Sequence, residues 1–182
     1  MNKKGISTLV IVAIVVIAVV VVGIGVYWMY YGGGGEPEPT PTPSPTPNIQ
    51  GATSISFDVE ATVDDVTENI KFTAKNLGTS DVLLRVDETD AQGTQFVYLM
   101  NQTAQTAWAK FSGQWMDVSS DFSTIYWSSD FIGYTAVENH MDALVDGWTG
   151  TGDYEYTSNG DSFVISNVSI DPSLPDSIFQ TD

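Results

Sequence analysis

The chain has no cysteine, one histidine and only six basic residues among 182. Each scarcity removes a class of function. Without cysteine there is no disulfide framework, no thiolate metal site, no thiol nucleophile and no cysteine for lipid attachment. With 23 acidic residues the net charge is −17, and subtracting Lys3 and Lys4 leaves −19 on the rest of the chain. Such a surface repels nucleic acid and anionic headgroups, so no nucleic-acid partner is expected. It also suits a high-salt or divalent-cation-rich habitat. Neither G-x-S-x-G nor H-E-x-x-H occurs. "GWTGTGD", residues 147–153, has three glycines but neither the lysine nor the preceding strand of a phosphate loop. His140 falls on a predicted helix, with Glu138 and Asp142 two residues away and so off its face. It reads as a surface histidine. The chain is expected to be no enzyme and to use no cofactor.

Charge is also missing from every position between Ile6 and Tyr31. A helix over that stretch would measure about 39 Å, against a hydrocarbon core of about 30 Å. A secretory apolar region is shorter and ends at small residues. This one ends in Val26-Tyr27-Trp28-Met29-Tyr30-Tyr31, and Tyr and Trp favour the membrane interface. Residues 6–31 are therefore expected to be a retained single-pass anchor in the lipid bilayer. Lys3 and Lys4 keep the N-terminus (1–5) in the cytoplasm, with everything after Tyr31 outside. Residues 32–50 read as a stalk. Four glycines are followed by "EPEPTPTPSPTPN", where proline at alternate positions enforces extended polyproline II.

From about Gly51 the pattern is β. In "SISFDVEATVD" Ile55, Phe57, Val59, Ala61 and Val63 alternate with polar residues, and "NIKFTAK" repeats the alternation. Val82–Asp87, Gln95–Met100, Thr106–Phe111 and Gln114–Val118 are further strands, separated by turn residues. The spacing of Trp127, Phe131, Tyr134, Val137, Met141, Leu144 and Trp148 is that of one helix face. Ser129 or Asp130 suits its start and Gly147 its end. Asn159-Gly160 predicts a type I′ hairpin between Tyr154–Thr157 and Ser162–Ile170. The expected fold of 51–182 is mainly β: a curved antiparallel sheet of about eight strands with one or two helices.

Carboxylates crowd two predicted turns, Asp64-Asp65 with Glu68, and Asp87, Glu88 and Asp90. Neither has EF-hand spacing, and both read as solvated turns rather than calcium sites. Asn101 and Asn167 begin N-x-S/T sequons and are glycosylation candidates. The aromatic residues are the strongest hint of binding. Phe57, Phe72, Tyr98, Trp108, Trp115, Trp127 and Tyr134 are the candidates to line an apolar pocket in a curved sheet.

Two resemblances follow from these residues. "KKGIS" before an unbroken apolar helix resembles the archaeal type IV pilin-like (class III) signal. That resemblance implies an archaeal source and a prepilin peptidase as partner, cutting between Gly5 and Ile6. Bacterial pilins carry a glutamate five residues into the mature chain, where this chain has Val10. The run from "FTAKNLGTSDVLLRV" to "AWAKFSGQWMDV" is similar to the LolA/LppX-like lipoprotein-carrier pattern, with Arg85, Tyr98, Asn101, Trp108, Gly113 and Trp115 in the matching places. "DPSLPDSIF" resembles that group's final strand and tail. The implied fold is an incomplete barrel, lidded by helix, that accepts acyl chains or other apolar ligands. The expected function is a membrane-tethered extracytoplasmic binding module. The alternative is a structural or adhesive surface subunit, such as a pilin-like filament protein, against which the Gly/Pro stalk argues by uncoupling head from helix.

Overall fold

Period-two alternation persists through eight strands: β1 Ser54–Val63, β2 Val66–Lys75, β3 Leu83–Thr89, β4 Gln95–Asn101, β5 Thr106–Phe111, β6 Gln114–Asp117, β7 Tyr154–Ser158 and β8 Asp161–Ile170. They come from a computed structural model that describes residues 48–181. The expected leader, anchor helix and most of the stalk, with Gly5 and Ile6, lie outside the described residues. Among those described, no helix is long and apolar enough to cross a membrane. The strands form one open antiparallel sheet in the order β6-β5-β4-β3-β2-β1-β8-β7. The first six make the expected meander, and the last hairpin returns to the free side of β1.

Turn chemistry fixes the register. Asp64-Asp65, Ser112-Gly113 and Asn159-Gly160 all have positive φ at both positions, as two-residue type I′ hairpins require. At Asn159-Gly160 this is the turn the sequence predicts. The β1–β8 pairing slips between Ser56 and Asp58. Asn167, at φ 52°, forms the bulge and donates from Nδ2 to Asp58 Oδ2 at 2.7 Å. The extra residue explains why both Ile165 and Ile170 oppose core positions of β1, Val59 and Ile55.

One face of the sheet is covered by helix α1, Tyr134–Gly147. The helix ends where Gly147 was expected to end it. Its start is later than the aromatic spacing suggests. A π-helical turn, Phe122–Tyr126, comes first. Ser129 then caps a separate turn, its Oγ accepting from the amides of Phe131 and Ile132. The helix begins after Gly133, where any Cβ would strike the backbone of Tyr126 and Ser129. Ala136, Val137, His140 and Leu144 form its buried face. They pack over Ile55, Phe57, Val59, Ile70, Phe72, Leu84, Val86 and Ile165. Ile49 and Ala52 belong to the same core. Residues 45–182 are one compact unit, and among the described residues every buried core residue lies within it. A unit with its own hydrophobic core is able in principle to fold alone.

Residues 171–179 cross the opposite face of the sheet. "DPSLPDSIF" contains no strand, since β8 ends at Ile170 and Pro172 and Pro175 follow. Asp171 anchors this segment. Its Oδ1 accepts from Thr53 N at 2.7 Å, Thr53 Oγ1 at 2.9 Å and Ser54 N at 3.2 Å. These bonds, the Thr53 amide's above all, hold the carboxyl below the usual carboxylate range. Farther along, Asp176 pairs with Lys75, and Arg85 Nη1 donates to the Ile178 carbonyl at 3.1 Å. Asp171→Ala is expected to release the segment at its start. Hydrogen exchange would then show faster exchange at the Thr53 and Ser54 amides, with the β3–β4 and β4–β5 ladders unchanged.

Candidate functional site

Pairing registers sort the side chains into rows across the helix-covered face. One row runs Phe57–Phe72–Val86–Tyr98–Ala109–Met116. The next runs Ile165–Val59–Ile70–Glu88–Phe96–Phe111. The same registers place Trp108, Lys110 and Trp115 on the other face, because Leu99 opposes Trp108 and Lys110 opposes Trp115. The seven aromatic residues expected to share a pocket are therefore not together.

Phe57 and Phe72 are fully buried beneath α1, with ring centroids 5.3 Å apart. They are core. Trp127 and Tyr134 stack on each other at 4.8 Å, and Trp127 also stacks on Phe122 at 5.3 Å. They brace the chain as it enters the helix. Trp108 lines a hollow of about 360 Å³ beside Leu99, Phe179 and Gln180 on the far face. Trp115 lies on that face too, beneath the Lys110 ammonium at 5.2 Å. Of the seven, only Tyr98 borders an open part of the helix side.

That open part is a candidate site which, of the seven sequence candidates, only Tyr98 marks. Beyond α1 the face continues over β3–β6. Phe96 stacks on Phe111 at 5.3 Å and on Tyr98 at 6.3 Å, and Tyr98 meets Tyr126 of the π turn at 6.0 Å. Phe111 in this ladder and Met116 diagonal to it stay exposed, at 44 % and 50 %. At the β1–β2 end, Val66 is exposed as well, in an apolar hollow of about 380 Å³ lined by Ala61, Val63, Val66, Phe131, Asp64 and Glu68. A larger groove of about 590 Å³ between α1 and the β7–β8 hairpin carries Asp130, Asp142, Asp146 and Asp161 on its walls. Its lining is too polar for an apolar ligand.

Two carboxyls interrupt the apolar surface. Glu88 sits between Ile70 and Phe96 in its row. Burial chiefly, then the nearby Glu68 and Asp90 carboxylates, raise its carboxyl above the usual range, while a hydrogen bond from Tyr98 works against them. Tyr98 is itself raised, first by burial and then by Glu88. The sequence groups Asp87, Glu88 and Asp90 in one acidic turn, and that grouping does not hold. Asp87 and Glu88 are consecutive in β3 and project to opposite faces. Asp87 is held by Arg85 at 2.6 and 2.7 Å. Asp90 Oδ1 accepts from the amides of Gln92 and Thr94. Asp64 and Asp65 are the two central residues of a hairpin turn. Among the described residues no three acidic or histidine side chains are grouped to hold a metal.

His140 is not on the surface, contrary to the sequence reading. It is 4 % exposed and falls one helical turn beyond Val137 and one before Leu144. Rings of Phe57, Phe72, Tyr156 and Phe163 surround it at 5.4–5.9 Å. Its Nδ1 shares a 2.7 Å hydrogen bond with the Tyr156 hydroxyl. That partner, on a strand sixteen residues away, lets an imidazole occupy a core position. Of the sequon residues, Asn167 is exposed but its side chain is engaged with Asp58. Asn101 is half-buried at the end of β4, its Oδ1 accepting from the Ala104 amide.

Compared with known proteins, the chain matches no family model, and no curated protein or solved structure matches it significantly.

Proposed function

We propose that the chain is a membrane-tethered, outward-facing binding module that takes an apolar ligand on the uncovered part of its helix-side sheet face. The observation that carries this reading is the cluster Phe96, Tyr98, Phe111 and Met116. Its members form a contiguous aromatic and aliphatic surface left open to solvent in a strongly acidic domain. Patches of this kind on soluble domains mark ligand or partner sites. The tether rests on the sequence alone, on the uncharged 6–31 stretch and the proline stalk. The archaeal class III signal and cleavage after Gly5 belong to the same proposal. A curved, incomplete-barrel sheet of the lipoprotein-carrier kind is consistent with an open meander covered on one face by a helix. The filament alternative draws support only from residues before 48.

The test uses residues 45–182 and Nile red, a neutral apolar dye whose emission shifts to the blue on leaving water. Saturable binding is expected. The double substitution Phe111→Ser and Met116→Ser should weaken it about tenfold, as removal of two apolar contacts predicts. Both residues are exposed, so the melting midpoint should move by only a few degrees. Absence of saturable dye binding would overturn the reading.

A further inference from the structure

We propose that this apolar face takes a cationic amphiphile, an alkyl chain ending in an ammonium group, with the head group held between Glu68 and Glu88. The inference rests on the preceding reading of the face as a ligand site, and it adds the charge of the ligand.

The argument starts from where the cations are. After Tyr31 the chain has only Lys71, Lys75, Arg85 and Lys110 as basic side chains. Lys71 opposes Asp58 and Asp87, Lys75 opposes Leu83, Arg85 opposes Thr73 and Leu99, and Lys110 opposes Val97 and Trp115. All four positions alternate with the core positions of their strands, so all four project from the far face. There they are engaged, Lys71 with Asp58, Lys75 with Asp176 and Arg85 with Asp87. Helix α1 contributes no lysine or arginine. The helix-side face therefore offers no cation to a fatty-acid carboxylate or a phosphate head group.

It does offer two carboxyls among apolar residues. Glu68 opposes Ala61 on β2, and Glu88 opposes Ile70 on β3. They are diagonal neighbours on adjacent strands, roughly 7–8 Å apart by strand geometry. The Glu68 carboxylate is close enough to add to the burial that raises Glu88. Glu68 lines the apolar hollow with Val66 and Phe131, and Glu88 is flanked by Phe96. Two carboxylates that repel each other across a gap, with aromatic rings beside them, fit a quaternary ammonium through charge and cation–π attraction. The alkyl chain then lies along Phe96, Phe111 and Met116. An anionic amphiphile in the same place would meet only like charge.

Three ligands of equal chain length separate the possibilities: octyltrimethylammonium, octanol and octanoate. Their binding is measured by equilibrium dialysis at neutral pH and low salt. The protein is the full chain in zwitterionic nanodiscs with empty discs as blank, and residues 45–182 in parallel. Octyltrimethylammonium is expected to bind at least about tenfold tighter than octanol, and octanoate weakest. Glu88→Gln should bring the cation down to the level of octanol and improve octanoate, and Glu68→Gln should do the same in part. If octanol or octanoate equals the cation, the head-group inference is overturned while the apolar site stands. If none of the three binds, the apolar site itself is lost.

Discussion

Phe72→Ala is expected to lower the unfolding free energy of residues 45–182 by about 3–5 kcal/mol without weakening ligand binding by more than about twofold. The stability term follows from burial. Phe72 is completely inaccessible, with Phe57 and His140 at 5.3 and 5.4 Å. It opposes Phe57 on one side and Val86 on the other. Its removal takes away the transfer energy of the ring and leaves a cavity that the two strands cannot close. A domain of this size has about 5–15 kcal/mol in all, so the variant should unfold at much lower urea but remain folded in its absence. The binding term follows from position. Phe72 lies under α1, whereas Phe96, Phe111 and Met116 lie beyond it. Urea titration gives the first quantity and Nile red titration the second. Phe72→Leu keeps more of the volume and serves if alanine proves too costly. Loss of dye affinity in a variant still folded would put the ligand between helix and sheet.

The contrast between Phe72 and Phe111 marks what the sequence made legible. Strand existence was legible because alternation is local. Thr106–Phe111 matches its expected bounds, and the other strands differ by a few residues at one end or both. Even the bulge leaves a trace, since Phe163 and Ile165 are followed by Val168 and Ile170, a shift of one in the alternation. The helix was legible in type and in its end at Gly147 but not in its start. Ser129 is a sound cap by chemistry, yet it caps a turn, and only the tight approach at Gly133 decides where α1 begins. The site was less legible. Knowing that Tyr98 and Trp108 are both aromatic says nothing of which face each occupies until registers are set across β4 and β5. Parity within a strand is local, but parity between strands depends on turn length and bulges. Glu88 could have been found. It sits two residues after Val86 in a strand whose apolar positions are Leu84 and Val86, so alternation alone points it to the core side. His140 likewise keeps helical spacing with Val137 and Leu144, and its partner Tyr156 appears only when the last hairpin returns beside β1.

Acidification is expected to cost the domain about 2 kcal/mol of stability between pH 7 and pH 5, and about 3 by pH 4, through His140 alone. Burial holds the folded-state imidazole down to about 4, against 6.5 when exposed. Between those values the unfolded chain binds a proton that the folded chain refuses. Stability is therefore fully present above 6.5 and lost as pH falls toward 4. No acidic side chain is among the rings that surround it, so nothing there compensates a charge. The Tyr156 hydroxyl, itself pushed up to about 12 chiefly by burial, remains neutral throughout and supplies a hydrogen bond only. Three carboxyls among the described residues are also shifted, and Asp117, lowered chiefly by its hydrogen bond with the Ser119 side chain, loses its contribution with acid below the usual carboxylate range. The raised Glu88 works in the opposite direction, because its contribution is present at low pH and lost as pH rises through its own titration. The lowered Asp171 loses stability with acid, but below the usual carboxylate range. Urea unfolding at pH 7, 6 and 5 isolates the imidazole when wild type is compared with His140→Leu. The leucine variant forfeits the Tyr156 bond at every pH, so its absolute stability is not the readout. Its slope is: between pH 7 and 5 it should be flatter by about 0.7 proton on average. Equal slopes would mean that the ring is charged in the folded state, and that α1 does not bury it against Phe57 and Phe163. A flatter slope in the variant ties helix docking to a neutral imidazole, since His140 is the only titratable side chain on the buried face of α1.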